Sequence, residues 1–202
     1  MSKLFKASIL IFLILILDQI TKIWIKTTMI IGQEYHVFGN WFIIHFTENN
    51  GMAYGMELGG DLGKLALSVF RIVAVIFIGY FLYKLSKNEE KNTGFVLSIA
   101  GIFAGALGNI IDSLVYGTIF TDSYYRVAEI FPKESGYSSF LHGKVVDMFY
   151  FPIINTHIPQ WSPIFAGEQF VFFQPVFNIA DASITISVVA IILFHRKYLM
   201  KK

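Results

Sequence analysis

Four stretches of this chain are apolar over about 20 residues each, the length an α-helix needs to cross a hydrocarbon layer of about 30 Å. They run from Leu4 to Ile25, Leu65 to Leu85, Gly94 to Tyr116 and Val176 to Phe194. Within lipid a backbone must satisfy its own polar groups, so spans of this kind are helices. Charged residues make up 15% of the 202 residues, against about 25% in an average soluble domain. The expected fold is an all-α integral membrane protein with four transmembrane helices, in one membrane-embedded domain covering residues 1–202.

The first stretch resembles a secretory signal at its start, with Lys3 and Lys6 ahead of "ASILIFLILIL". No small-x-small cleavage site follows, and apolar character resumes at Ile23 after Asp18 and Lys22, so it is read as an uncleaved anchor. Lysine and arginine then set the orientation. Nine of them (Lys3, Lys6, Lys84, Lys87, Lys91, Arg196, Lys197, Lys201 and Lys202) fall on one side, in short stretches. The two long connections, about 26–64 and 117–175, hold Lys26, Lys64, Arg126, Lys133 and Lys144. The positive-inside rule places both termini in the cytoplasm and both connections outside. Alternation in "WFIIHF" and nearby Gly and Asn turn signals predict short strands in the first connection, a small external β-cradle. The second is an extra external loop region.

Polar residues inside the spans are expensive and ask for a reason. Asp18 and Lys22 are spaced i,i+4 and can pair on one helix face. "GNIID" (Gly108 to Asp112) and "FNIAD" (Phe177 to Asp181) share Asn-Ile-x-Asp, which on a helix puts Asn109 with Asp112, and Asn178 with Asp181. The small residues of "AGIFAGALG" and "ADASITIS" permit close helix approach. Interhelical hydrogen bonding explains the asparagines as well as a chemical role does. A buried carboxylate needs more, because it must find a partner or give up its charge. Asp147, in "HGKVVDMFYFP", is a further carboxylate ahead of an aromatic run.

The inventory narrows the chemistry. There is no cysteine, which removes thiol nucleophiles and thiolate metal sites, and the five histidines form no close metal-ligand pair. A net charge of +2 is too small to suggest nucleic acid. Two carboxylates sharing a partly dry site cannot both ionise easily, so one acts as acid and the other as base. An ion-conducting subunit, a non-catalytic scaffold and a magnesium-dependent lipid enzyme are the competing readings. The clustering of polar residues at one membrane level argues against the first, and the lack of closely spaced carboxylates on one or two helices argues against the third.

Five stretches in order, "DQITK" (Asp18 to Lys22), "NNGMAY" (Asn49 to Tyr54), "GNIID", "GKVVDMF" (Gly143 to Phe149) and "FNIADASI" (Phe177 to Ile184), resemble the bacterial lipoprotein signal peptidases (signal peptidase II). The resemblance covers nearly the whole chain. It implies an intramembrane aspartyl protease of the bacterial cytoplasmic (inner) membrane, active toward the external or periplasmic face. The implied substrates are diacylglyceryl-modified prolipoproteins, cleaved before the lipidated cysteine, with membrane lipids as the other partners and no cofactor or metal. By motif, Asp147 and Asp181 become the catalytic pair, with Asp112 as the rival for the place of Asp147. Asn49, Gly51, Asn109 and Asn178 line the site, and Asp18, Lys22 and Asp112 support it. A monomer is expected. Two departures stand out. Ser113 occupies a position where the family often has arginine, so that contact is either missing or supplied by Arg126, and some thirty residues separate "GNIID" from "VVD", with a further long stretch over 155–174.

Overall fold

The computed structural model describes residues 1–50, 60–161, 163–165, 167–172 and 175–198. Its helices are α1 (Lys3–Lys26), α2 (Gly60–Lys87), α3 (Thr93–Ile111), the one-turn α4 (Gly117–Ile119) and α5 (Ile179–Ala190). Asp112–Tyr116 forms a π-helical turn that joins α3 to α4, and α5 runs on through a π-helical turn (Ile191–His195) into a 3-10 turn (Arg196–Tyr198). Among the described residues, four helical spans are long and apolar enough to cross a membrane: Lys3–Lys26, Leu62–Lys87, Thr93–Ile119 and Ile179–Tyr198. Their outward faces carry large apolar side chains such as Phe12, Leu17, Phe70, Phe77 and Leu193, as lipid contact requires.

Local signals explain the helix starts. Ser2 accepts from Phe5 N–H, Asn92 from Gly94 N–H, and Asn178 from Asp181 N–H, each a side-chain oxygen answering a donor that the first turn leaves open. The last of these corrects the expected helix over 176–194. Val176 and Phe177 are a strand, and Asn178 is the cap of α5 rather than a residue on its face.

The strands β1 (Glu34–Phe38), β2 (Phe42–Asn49), β3 (Val145–Tyr150) and β6 (Val176–Phe177) form one antiparallel sheet in the order β1-β2-β3-β6. β4 (Ile154–His157) and β5 (Gln169–Phe172) form a separate hairpin. The sheet is therefore larger than the cradle expected from the first connection, because the second connection supplies β3 and the start of the expected fourth span supplies β6. Alternation divides β3 between two environments. Val146 and Met148 pack with Ile25, Met29, Phe46, Tyr116 and Phe120, fixing the sheet on the helix ends. Asp147 lies between them and faces the opposite way.

Glycine brings the helices together. A side chain at Gly105 would collide with the carbonyl oxygen of Ala180, and one at Gly108 would come within 2.8 Å of Asp18 Oδ2. These two close approaches let α1, α3 and α5 meet at the level of the polar residues.

Candidate active site

The sheet and three helices converge on Asp147. It is 2% exposed, lies opposite Thr47 in the register, and is a diagonal neighbour of Asn49 on the same face. Asn49 Nδ2 donates to Asp147 Oδ2. Asn178 Nδ2 donates to Asp147 Oδ1 at 2.6 Å. The short β6 strand makes this second contact possible, since pairing with Phe149 and Tyr150 delivers the next residue, Asn178, beside β3. Burial, and then the negative charge of Asp181, push the Asp147 carboxyl up to about 8.

Asp181 is half-buried in the first turn of α5. Asn109 Nδ2 donates to its Oδ1 at 2.7 Å, and Asn178 Nδ2 lies 3.1 Å from Asn109 Oδ1. Two amides thus bridge the carboxylates: Asp181, Asn109, Asn178, Asp147.

Below the bridge is a charged cluster with no solvent access. Lys22 Nζ sits 2.8 Å from Asp18 Oδ2, 2.8 Å from Asp112 Oδ2 and 2.9 Å from Asn109 Oδ1. Asp18 Oδ1 accepts from Ala180 N–H at 2.9 Å, an anion at a helix N-terminus. Asp112 also accepts from Gln19 Nε2 at 3.0 Å and from Val146 N–H at 3.3 Å. Asp112 is therefore committed to Lys22, Gln19 and the backbone of β3.

Of the residues singled out in the sequence, Asp18, Lys22, Asn49, Asn109, Asp112, Asp147, Asn178 and Asp181 all join this connected set. Gly51 lies outside the described residues. Arg126 does not bring an arginine to it, being a half-exposed side chain 3.3 Å from Asp122. Arg71 does. Its Nη1 is shut away from solvent on α2, and its charge acts on Asp181, Asp112 and Asp147. Sequence reasoning passed over it, although a lone arginine in "SVFRIVAVIF" is a signal in its own right. Lys64 was counted only as a loop charge. It is nearly buried, and its Nζ donates to Asn50 O at 2.8 Å. Among the described residues, no group of three or more His, Asp and Glu side chains is placed to hold a metal ion.

The signal peptidase (SPase) II family model matches residues 10–196. The chain belongs to the signal peptidase II family. A lipoprotein signal peptidase of Porphyromonas gingivalis is 51% identical over 183 residues, covering 91% of this chain and 79% of the relative. One from Amoebophilus asiaticus is 32% identical over 186 residues, 91% of this chain and 75% of the relative. Among solved structures, a bacterial membrane enzyme determined by the in meso method at 1.9 Å resolution matches with a TM-score of 0.60 and 29% identity, over 98% of this chain and 94% of that one. Membership of the signal peptidase II family makes this chain a protease, a hydrolase of lipoprotein processing built on membrane helices.

Proposed function

We propose that this peptidase removes signal peptides from diacylglyceryl-modified prolipoproteins, cutting on the N-terminal side of the lipidated cysteine, with Asp147 and Asp181 as an acid–base pair. The observation that carries the reading is the amide bridge, which holds two carboxylates of unequal burial side by side. Asp147, displaced to about 8, keeps its proton at neutral pH. Asn178 cannot turn its amide, because its Oδ1 is occupied by Asp181 N–H, so it presents its NH2 to Asp147 Oδ1 while Asn49 presents its own to Oδ2. Asp181, the more accessible carboxylate, takes a proton from water as the water oxygen attacks the scissile carbonyl carbon. Asp147 gives its proton to the carbonyl oxygen. The tetrahedral diol then collapses: Asp181 passes its proton to the leaving nitrogen, the C–N bond breaks, and a diol hydroxyl returns a proton to Asp147. Neither metal nor cofactor is called on.

Arg71, Lys22, Asn109 and Asn49 surround the pair and support it, and Gly51 belongs to the substrate approach. Both termini face the cytoplasm and the sheet lies outside, with the pair toward the external or periplasmic face of the inner membrane. Lys3 Nζ donating to Asn88 O at 2.9 Å fits this placement, since it joins the N-terminus to the lysine-rich loop between α2 and α3. One chain supplies both carboxylates and both amides, which suits a monomer among membrane lipids, working as a single domain.

The test is cleavage of a diacylglyceryl-modified prolipoprotein by purified protein, with and without a chelator. Asp147→Asn and Asp181→Asn are each expected to abolish turnover, and the chelator to leave it unchanged. Full activity in Asp181→Asn would sink the pair. Full activity in Asp147→Asn beside a dead Asp112→Asn would move the acid to Asp112.

A further inference from the structure

Proton counting across the buried network shows a need that one residue meets. Asn178 Nδ2 has two protons and three acceptors in reach: Asp147 Oδ1 at 2.6 Å, Asn109 Oδ1 at 3.1 Å and Val146 O at 3.2 Å. It cannot satisfy all three. Asn109 Oδ1 has a second donor in the Lys22 ammonium at 2.9 Å. That ammonium has three protons and three acceptors (Asp18 Oδ2, Asp112 Oδ2 and Asn109 Oδ1), so it is fully used. With Lys22 also serving Asn109 Oδ1, one Asn178 proton goes to Asp147 and the other is shared between Asn109 Oδ1 and the β3 carbonyl, without the Asn109 oxygen depending on it alone.

Lys22 also fixes a direction. An ammonium donates only, so the Asn109 side chain must turn its oxygen toward α1 and its NH2 toward Asp181. Reversed, Asn109 would set its own N–H groups against the ammonium and against Asn178 Nδ2, three donors facing with no acceptor between them. At the other end of the bridge, Asp181 N–H holds Asn178 by its oxygen in the same way. Each amide therefore has one orientation, and each presents its NH2 to one carboxylate.

The geometry points to Lys22 as a positioning residue for hydrolysis, one whose hydrogen-bond route to the reacting pair runs through the Asn109 amide. This rests on the reading of Asp147 and Asp181 as that pair. Lys22 touches neither carboxylate of the pair in the hydrogen-bond network, and its two ion pairs with Asp18 and Asp112 neutralise it where it stands.

Removing Lys22 alone leaves two buried carboxylates uncompensated, so the experiment is run in an Asp112→Asn background, where Lys22→Met leaves the cluster with the same net charge as in the natural protein. Turnover of a diacylglyceryl-modified prolipoprotein is measured for Asp112→Asn, Lys22→Met/Asp112→Asn and Lys22→Gln/Asp112→Asn, each with and without Asn109→Leu. Against Asp112→Asn, the methionine is expected to lower kcat on the order of 100-fold, the usual consequence of a misplaced reacting group, with KM within about 2-fold. Glutamine, whose NH2 still donates to Asn109, is expected to recover about 10-fold of that loss. In the Asn109→Leu background, exchanging Lys22 for methionine is expected to change kcat by less than about 3-fold, because the route through Asn109 is already cut. Additive losses, equal activity of methionine and glutamine, or a loss carried by KM would overturn the proposal. Asp147→Asn and Asp181→Asn run alongside: if either is active, the pair itself is wrong, whereas if both are dead and the cycle is additive, only the role of Lys22 falls.

Discussion

Replacing Asp147 by asparagine has a thermodynamic consequence separate from its effect on activity. In the folded protein burial and the charge of Asp181 raise this carboxyl from 3.8 to about 8. Throughout that window the folded state holds a proton that the unfolded state has lost, so folding takes up a proton and stability falls as pH rises. The contribution is most favourable below pH 4, declines by about 1.4 kcal/mol per pH unit, and levels off above pH 8. Asparagine is always neutral and escapes the cost. At pH 7, about three units above the ordinary value, the natural side chain is at a disadvantage of about 4 kcal/mol, and at pH 5 of about 2 kcal/mol. Differences in how asparagine hydrogen-bonds to Asn49 and Asn178 shift this gap by a constant without altering its slope. The assay is thermal unfolding of both proteins in detergent micelles from pH 5 to 9. The Tm gap in favour of Asp147→Asn should widen steadily to about pH 8 and then stay constant. In an Asp181→Asn background the widening should stop at lower pH, because the neighbouring charge is the second cause of the displacement. A gap that is flat or narrows as pH rises would refute the assignment of a protonated Asp147.

Two other substitutions probe the frame around the site. Gly105→Ala forces a methyl group into the Ala180 carbonyl and Ile184, neither of which can yield without parting α3 from α5, so a loss of about 1–3 kcal/mol is expected, read as a lowered Tm. Lys26 is fully buried between Glu48, Ser123 Oγ at 2.9 Å and the ring of Tyr137 at 4.8 Å, and Lys26→Met leaves Glu48 buried without its charge partner. That should cost about 3–5 kcal/mol, with much of it restored by Lys26→Met/Glu48→Gln in the same unfolding measurement.

How far the sequence could be read depended on whether each feature was local. The four spans were legible because hydropathy is a property of one segment, but their ends were less so: α2 starts at Gly60 rather than Leu65, and α5 at Ile179 rather than Val176. There Val176 and Phe177 are as apolar as any helix residue, and only pairing with β3 made them a strand. Asn178 looked like a residue on a helix face because spacing alone cannot tell a cap from an interior position. Arg71 escaped notice for the opposite reason: averaging over about 20 residues dilutes one charge among Val, Phe and Ile. The convergence of Asn49, Asn109, Asn178, Asp147 and Asp181 was suggested by motif resemblance. The bridge that links them was not, since the order of donors depends on residues brought together from four separate parts of the chain. The same holds for Lys26 and Glu48, a buried pair that ties α1 to the sheet and to the long second connection.

The hydrogen bond from Ala180 N–H to Asp18 joins residues 162 positions apart. During synthesis α1 enters the bilayer long before α5 exists, and its carboxylate can do so because Lys22, one turn further on, neutralises it. Asp18 is then left with an unused oxygen that only the start of the last helix fills. Closing the chain's first helix onto its last therefore also carries Asp181, the residue after Ala180, to its place beside Asn109. A chain that lacks α5 therefore lacks both the donor that fills Asp18 and the Asp181 carboxylate.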